Sequence, residues 1–349
     1  MLPVNLPETA CHLPRVKVSA EREIRTVVGL RPFRPSGFRV AKEMVGETAV
    51  VHNYGHGGGG ITLSWGTSKL AADLGLPGHV GPVAVLGCGA VGLATARLTQ
   101  EAGFDVTIYT KAMPPETTSN IAGGQWFPAS VYDPDKTLTP EFTQQFVAAA
   151  QYGYRRYQIM TDPKYGIRWM RNYFLSDKPR QSSSDGGMFG SIHDLLPEVK
   201  DMAAGTHPFG NKFVRQFDGM IVEPPIYLPA MLTDVRIAGG KIAVREMKSL
   251  DEVRGLPEKL VFNCTGLGAK ALFADEELTP IRGQLTFLLP QPEVTYATSY
   301  ENTYMFSRRD GVLLGGTHEM GDWNLQPDMA TKAAILAKQA MLFDGMRDC

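Results

Sequence analysis

The sequence predicts an α/β protein: a Rossmann-like nucleotide-binding domain joined to a second domain. Three observations carry that expectation. The length of 349 residues suits two ordinary domains better than one core. Val83 to Tyr109 reads as strand, glycine turn, helix and strand. The third is the stretch His52 to Gly60, with five glycines between Gly55 and Gly60, which runs into a helix-compatible Ile61 to Trp65. Such a stretch lets backbone amides rather than side chains approach a flat ligand.

Composition narrows the partners. With 43% hydrophobic residues, 20% charged and a formal net charge of -1, the chain has no bulk attraction to nucleic acid or acidic membranes, so small molecules are the expected ligands. Cys11, Cys88, Cys264 and Cys349 are scattered without a CxxC pair, which argues against a disulfide framework and against a metal site. The first residues lack the pattern of a secretion signal, and no run approaches the roughly 18 apolar residues of a membrane span. A cytoplasmic location is expected.

In chain order, residues 1 to 24 carry little periodicity. Arg25 to Val28 is a short strand candidate, and Gly29-Leu30-Arg31-Pro32-Phe33-Arg34-Pro35 is held extended by its prolines, displaying Arg31 and Arg34. Ala49 to His52 reads as a strand and Thr62 to Leu74 as a helix stopped by Gly75. After the connector Pro77 to Pro82 comes strand Val83 to Leu86. Gly87-Cys88-Gly89-Ala90-Val91-Gly92 then makes a GxGxxG turn, Leu93 to Ala102 a helix and Asp105 to Tyr109 a strand. In that setting the glycines allow a tight turn, close approach of a pyrophosphate and helix-to-strand packing. Thr110 and Lys111 stand where an acidic residue normally holds ribose hydroxyls.

Thr117-Thr118-Ser119 and Gly123-Gly124-Gln125-Trp126 form a hydroxyl and glycine cluster, followed by a helix from Thr139-Pro140 to about Met160. Gly166 to Phe213 is mixed aromatic and short-strand, with a serine-rich loop at Ser182 to Ser184, and reads as part of the second domain. Pro225 to Ala238 reads as a helix, Lys241 to Arg245 as a strand, and Leu260 to Asn263 as a buried strand ending in Cys264-Thr265-Gly266, where doubly wound sheets hold ligands. Gln284 to Leu289 is a strand. Tyr300 and Tyr304 share one face if they lie on one regular strand, which turns at Arg309-Asp310-Gly311; an ordinary pair of half-buried tyrosines has the same spacing. Met329 to Phe343 closes the chain as an amphipathic helix.

The order GxGxxG, Thr-Thr-Ser with Gly-Gly-Gln-Trp, Asn-Cys-Thr-Gly, Tyr300 with Tyr304, and Gly315-Gly316-Thr317 resembles the D-amino acid oxidase family of FAD-dependent enzymes. Gly29 to Pro35 and His52 to Thr62 resemble it too, but in that family these two motifs close the chain, whereas here they precede the GxGxxG. The resemblance therefore implies a circularly permuted topology over roughly residues 25 to 343. It likewise implies a Rossmann-like FAD-binding domain, expected at 29–132 and 225–282, and a mixed-sheet α+β substrate domain, expected at 133–224, 283–349 and 1–28.

The resemblance also implies the chemistry: oxidation of a D-amino acid by hydride transfer to FAD, hydrolysis of the imino acid to a keto acid, and reduction of O2 to hydrogen peroxide. Arg31 would clamp the substrate carboxylate, Tyr304 would add a hydroxyl to it, Tyr300 would cover the pocket, and the Gly58 carbonyl would accept from the amine. FAD contacts would fall on Gly87, Gly89, Ala90, Val91, Gly92, Thr117, Thr118, Ser119, Gly124, Gln125, Met247, Thr265 and Gly266, and at the ring on Gly57, Gly59, Gly60, Ile61 and Thr62. Gly59 and Phe127 depart from the family's frequent tyrosine and glutamine. Arg308 and Arg309, beside Asp310 in a turn, read as solvated. The expected partners are an amino acid and O2, and a homodimer is compatible with this reading. A glycine- or sarcosine-type amine oxidase, a related dehydrogenase and a catalytically silent flavoprotein stand as alternatives.

Overall fold

The computed structural model describes residues 12–136, 139–179 and 190–348. The serine-rich segment, Cys11 and Cys349 lie outside them. The strands are β1 (Glu23–Phe33), β2 (Arg39–Val45), β3 (Thr48–Tyr54), β4 (Val83–Leu86), β5 (Val106–Thr110), β6 (Ile167–Ser176), β7 (Lys200–Met202), β8 (Phe213–Val222), β9 (Lys241–Val244), β10 (Leu260–Asn263), β11 (Thr279–Leu288), β12 (Tyr296–Tyr300), β13 (Thr303–Arg308), β14 (Gly311–Gly315) and β15 (Glu319–Met320). The α-helices are α1 (Gly60–Gly75), α2 (Ala90–Glu101), α3 (Thr118–Ile121), α4 (Pro140–Ile159), α5 (Pro224–Ile237), α6 (Leu250–Arg254), α7 (Gly268–Leu272) and α8 (Met329–Asp344).

The chain divides into two units. One comprises 30–166 and 224–281, the other 1–29, 167–223 and 282–349. The first contains a six-stranded sheet in the order β2-β3-β10-β4-β5-β9. All neighbours are parallel except β2, which runs antiparallel to β3 at the edge. Every residue of β4 and β10 is buried, as a parallel strand covered on both faces requires. One apolar cluster of this unit gathers Val50, Ala84, Leu86, Met247, Val253 and Val261.

α4 belongs to this same unit, although the sequence reading had it opening the second domain. The reason is a close helix crossing. A β-carbon on Gly66 of α1 would stand 1.9 Å from the Ala149 carbonyl oxygen of α4, and one on Gly153 of α4 would stand 2.9 Å from that of Thr62. Two glycines thus let these backbones meet.

The other unit is organised by a mixed sheet in the order β1-β11-β14-β13-β12-β6-β8-β7, with β15 paired to β11. One face carries the cluster Tyr173, Leu175, Leu288, Tyr296, Met305, Val312 and Leu314 with Ile335, Leu336 and Phe343 of α8. β1 is far longer than the strand read at Arg25 to Val28, and Pro32 is tolerated because β1 is an edge strand. β2 and β8 were not legible as strands, and β6 only as part of a stretch of mixed aromatic and short-strand character. In β6 and β8 the cause is buried charge: Arg171 and Asp218 face each other across the ladder and pair through Nε–Oδ1 at 2.8 Å and Nη2–Oδ2 at 3.0 Å. Such residues break an apolar alternation while satisfying the requirement that buried charges be paired.

Candidate active site

Three glycine-bearing turns leave the same edge of the parallel sheet. β10 lies between β3 and β4, with Asn263 in register with both His52 and Leu86. The turns after these strands, Gly55 to Gly60, Gly87 to Ala90 and Cys264 to Gly266, therefore emerge side by side at the carboxyl ends, where such sheets bind ligands.

The turn after β3 is shaped by what lies across it. A β-carbon on Gly57 (φ 54°) would stand 1.8 Å from the Ser130 carbonyl oxygen, one on Gly58 2.6 Å from that of Ala129, and one on Gly59 2.6 Å from a Val131 methyl. The segment 129–131 thus rests on the glycines, and the Gly58 amide donates to the Ser130 carbonyl at 3.3 Å. Gly59, the departure noted from the sequence, has no room for a larger side chain here. Thr62 accepts from the Phe127 amide at 3.2 Å, which brings α1 against the Gly124-Gln125 stretch. Arg31 comes to the same place: its Cδ would lie 3.7 Å from a β-carbon on Gly58. Pro32 would lie 3.8 Å from one on Gly266.

At the second turn, a β-carbon on Gly87 would meet the Cys264 carbonyl oxygen at 2.5 Å and one on Gly92 the Gly87 carbonyl at 2.1 Å. Both positions admit only glycine. Ser119 Oγ accepts from the Ala90 amide at 3.0 Å, which joins the hydroxyl cluster to the start of α2. Thr117 bonds to Asn120, and Thr118 opens α3. Thr265 is pinned by its amide and hydroxyl to Asn263 Oδ1 at 3.2 and 2.7 Å. Met247 differs from the other expected contacts, since its side chain is buried in the apolar cluster under the sheet.

The two helices leading from this edge, α1 and α2, begin at Gly59 and Gly89 as N-caps, and neither is closed by its N-cap side chain. By contrast α4, α6 and α8 are capped by Thr139, Ser249 and Asp328. At α2 the Ala90 amide is already taken by Ser119 Oγ, so what the two N-termini offer a ligand is their other first-turn amides and their partial positive charge, which suits a pyrophosphate at α2 and an electron-rich ring edge at α1. The residues present therefore fit a flavin dinucleotide.

The titratable groups here are poor proton carriers. His56 is buried, pairs through Nε2 with Thr67 Oγ1 at 2.8 Å and stacks on Phe38, and burial depresses its pKa to about 3. Burial, reinforced by Arg39, lowers that of His52, whose Nδ1 accepts from Asn263 Nδ2 at 3.1 Å while Nε2 faces Glu43. Burial pushes the thiols of Cys88 and Cys264 up to about 12, away from the reactive thiolate. Arg34 is bound to Asp275 and Glu277.

In the other unit, Tyr300 and Tyr304 are not on one strand. Tyr300 ends β12 and Tyr304 lies in β13, with Ser299 opposite Tyr304 and Tyr300 opposite Thr303. Cross-strand partners share a face and neighbours alternate, so the two rings point to opposite faces of the sheet. Their spacing of four spans a hairpin turn rather than one strand. Tyr304 stacks on Phe306 with centroids 4.8 Å apart, over Gly315, whose β-carbon would stand 2.3 Å from the ring. Tyr300 instead donates to Asp177 Oδ2 and accepts from Lys212 Nζ, both at 2.8 Å. Arg308 is buried, against the solvated reading, and is held through Nε and Nη2 by the two carboxylate oxygens of Asp310.

Among the described residues no cluster of His, Cys, Asp and Glu could hold a metal, and no helix is long and apolar enough to cross a membrane. Sequence reading missed the contribution of Ala129 and Ser130, which act through backbone oxygens that no side-chain pattern announces, and of Val131, whose methyl closes over Gly59.

Three adjacent glycine turns and two helix N-termini at the carboxyl edge of a parallel sheet define a dinucleotide-binding protein. The chain belongs to the DAO family of FAD-dependent oxidoreductases, whose profile matches residues 5–74 and 82–348. It is similar to a D-amino-acid oxidase of Rubrobacter xylanophilus, 30% identical over an alignment of 271 residues that covers 75% of this chain and 77% of that protein. It is also similar to a D-amino acid oxidase of Dugesia ryukyuensis, 28% identical over 76% of this chain and 79% of that one. A glycine oxidase structure from Bacillus cereus shares the fold, with a TM-score of 0.55 at 16% identity over 75% of this chain and 78% of that one.

Proposed function

We propose that this chain is a D-amino acid oxidase that converts a neutral substrate to its imino acid, which water hydrolyses to the keto acid while O2 becomes hydrogen peroxide. The observation that carries the reading is Arg31 laid beside Gly58 at the open N-terminus of α1. Bound FAD supplies the two-electron acceptor. Arg31 holds the carboxylate, since a guanidinium fork matches its two oxygens. The Gly58 carbonyl accepts from the amine, and the first amides of α1 stabilise negative charge at the ring edge. Tyr304 adds its hydroxyl to the carboxylate; this role rests on the motif. No strong protein base is needed, in keeping with the neutral state that burial imposes on His56. A neutral substrate is favoured because Arg34 and Arg308 already have carboxylate partners within the protein.

The test is direct. Purified protein titrated with FAD should gain flavin absorbance, and a panel of D- and L-amino acids assayed for peroxide should respond to neutral D-isomers. A flavin-loaded protein that responds only to glycine, sarcosine or L-isomers would overturn the substrate assignment.

We further propose that the chain is a circular permutant of the family's usual order. Supporting this, the profile matches in two separate segments, of which 82–348 makes up about three quarters of the chain, and the relatives align over a similar share. The outer ends of the described chain also lie together: His12 and Asp348 pair at 3.1 Å, and Arg15 Nη2 donates to the Met346 carbonyl at 2.7 Å.

A further inference from the structure

We infer that Asn53, Ser68 and Thr95 form a buried positioning hub that couples the flavin-ring end of the FAD site to its pyrophosphate end. The three side chains come from β3, α1 and α2, and all are fully buried. Asn53 Nδ2 donates to Ser68 Oγ at 3.1 Å and to Thr95 Oγ1 at 3.2 Å, and the two hydroxyls lie 2.8 Å apart. Both hydroxyls reach the Val91 carbonyl in the first turn of α2, Ser68 at 3.2 Å and Thr95 at 2.9 Å. Thr95 Oγ1 also lies 3.5 Å from Cys264 Sγ, in the turn after β10. One small cluster thus touches all three segments that converge at the sheet edge. Asn53 stands two residues before Gly55, Val91 lies within the GxGxxG turn, and Cys264 adjoins Thr265.

The chemistry makes the cluster stiff. An amide nitrogen only donates, so Asn53 fixes both hydroxyls as acceptors and orients their protons toward Val91 and each other. Asn53 Oδ1 has no hydrogen-bond partner, so the hold comes from its amide nitrogen and the two hydroxyls, where breaking any bond would leave a further buried polar group unsatisfied. Its consequence is a fixed separation and rotation of the N-termini of α1 and α2, which must each meet a different part of one ligand. This inference rests on FAD as the cofactor.

The experiment compares FAD and ADP binding to apoprotein, because ADP engages the pyrophosphate end without the ring. Thr95→Val should weaken FAD binding by about tenfold, the value of one well-placed hydrogen bond. It should weaken ADP binding distinctly less. Ser68→Ala, a smaller perturbation, should show the same ordering, and Thr95→Ser should restore wild-type affinities. Thr99→Val is the control: Thr99 is equally buried, and its hydroxyl bonds to the Thr95 carbonyl at 2.8 Å within α2 itself. It should lower the urea midpoint of the apoprotein while leaving both affinities unchanged. Equal losses for FAD and ADP, or equal losses from Thr95→Val and Thr99→Val, would overturn the hub. Failure of wild-type protein to bind FAD would instead sink the flavoprotein reading itself.

Discussion

Arg31 is the residue on which the substrate reading turns. Removing a charged contact to a carboxylate costs about 2 to 5 kcal/mol, so Arg31→Ala should lower kcat/KM by roughly thirtyfold or more on carboxylated substrates. Arg31→Lys should recover only part of that loss, because a point charge does not reproduce a two-pronged contact. Unchanged steady-state kinetics in Arg31→Ala would remove the residue from the site. His56 supports a second prediction. Its folded pKa of about 3 lies below the ordinary value of 6.5, so as pH falls through 6.5 the unfolded chain gains a proton that the folded chain refuses. Stability should then decline with falling pH by about 1.4 kcal/mol per unit until pH approaches 3. Urea unfolding of apoprotein at pH 7 and pH 5 should show this, and His56→Gln should flatten it; an equal slope in the variant would assign the acid sensitivity elsewhere. Gly315 is a third. The β-carbon of Gly315→Ala would push the Tyr304 ring aside, so KM for carboxylated substrates should rise more than kcat falls, and the effect should vanish in a Tyr304→Phe background. An additive double mutant would separate Gly315 from the Tyr304 hydroxyl.

At the scale of elements, the parts legible in the sequence were those whose local chemistry agrees with their tertiary role. Val83 to Leu86 is a fully buried strand, and the reading matched its bounds because an apolar run between Pro82 and Gly87 has no competing interpretation. α4 was placed by its threonine cap and proline first turn, both of which the structure contains. What escaped was structure set by distant partners. β6 and β8 hide Arg171 and Asp218 from water only because each finds the other across the ladder, a pairing with no local signature. Tyr300 and Tyr304 were assigned to one strand because Glu301-Asn302 lacks the glycine that usually marks so tight a turn; Glu301 adopts a positive φ of 51° instead. The α1–α4 crossing gives a prediction at this scale. Gly66→Ala puts a methyl where the Ala149 carbonyl lies, so the helices must separate, with a stability loss of about 1 to 3 kcal/mol typical of overpacking. A urea midpoint unchanged from wild type would mean that the crossing yields at no cost.

The order of the whole chain can be tested by restoring the family's usual arrangement. The connector between α1 and β4 is suited to cutting: Gly78 and Gly81 have positive φ and open space where a β-carbon would stand, and Val80 is 90% exposed. The other ends are suited to joining, since His12 and Asp348 already touch. A chain that begins at Val80, runs to Asp348, continues through a short flexible linker to His12 and ends at His79 keeps every element of the fold. It also returns the GxGxxG to the front and the His52 to Thr62 stretch to the back. Closing so short a gap costs little entropy, because the ends need no search to meet. The rearranged protein should therefore fold, bind FAD with the affinity of the original, and retain its peroxide-forming activity. A chain cut instead between Ala149 and Ala150, inside α4 where both residues are fully buried, should not fold. Should the rearranged protein prove insoluble or flavin-free while the original binds FAD, the present order would be required by folding, and the chain would not be a simple re-cutting of the family's arrangement.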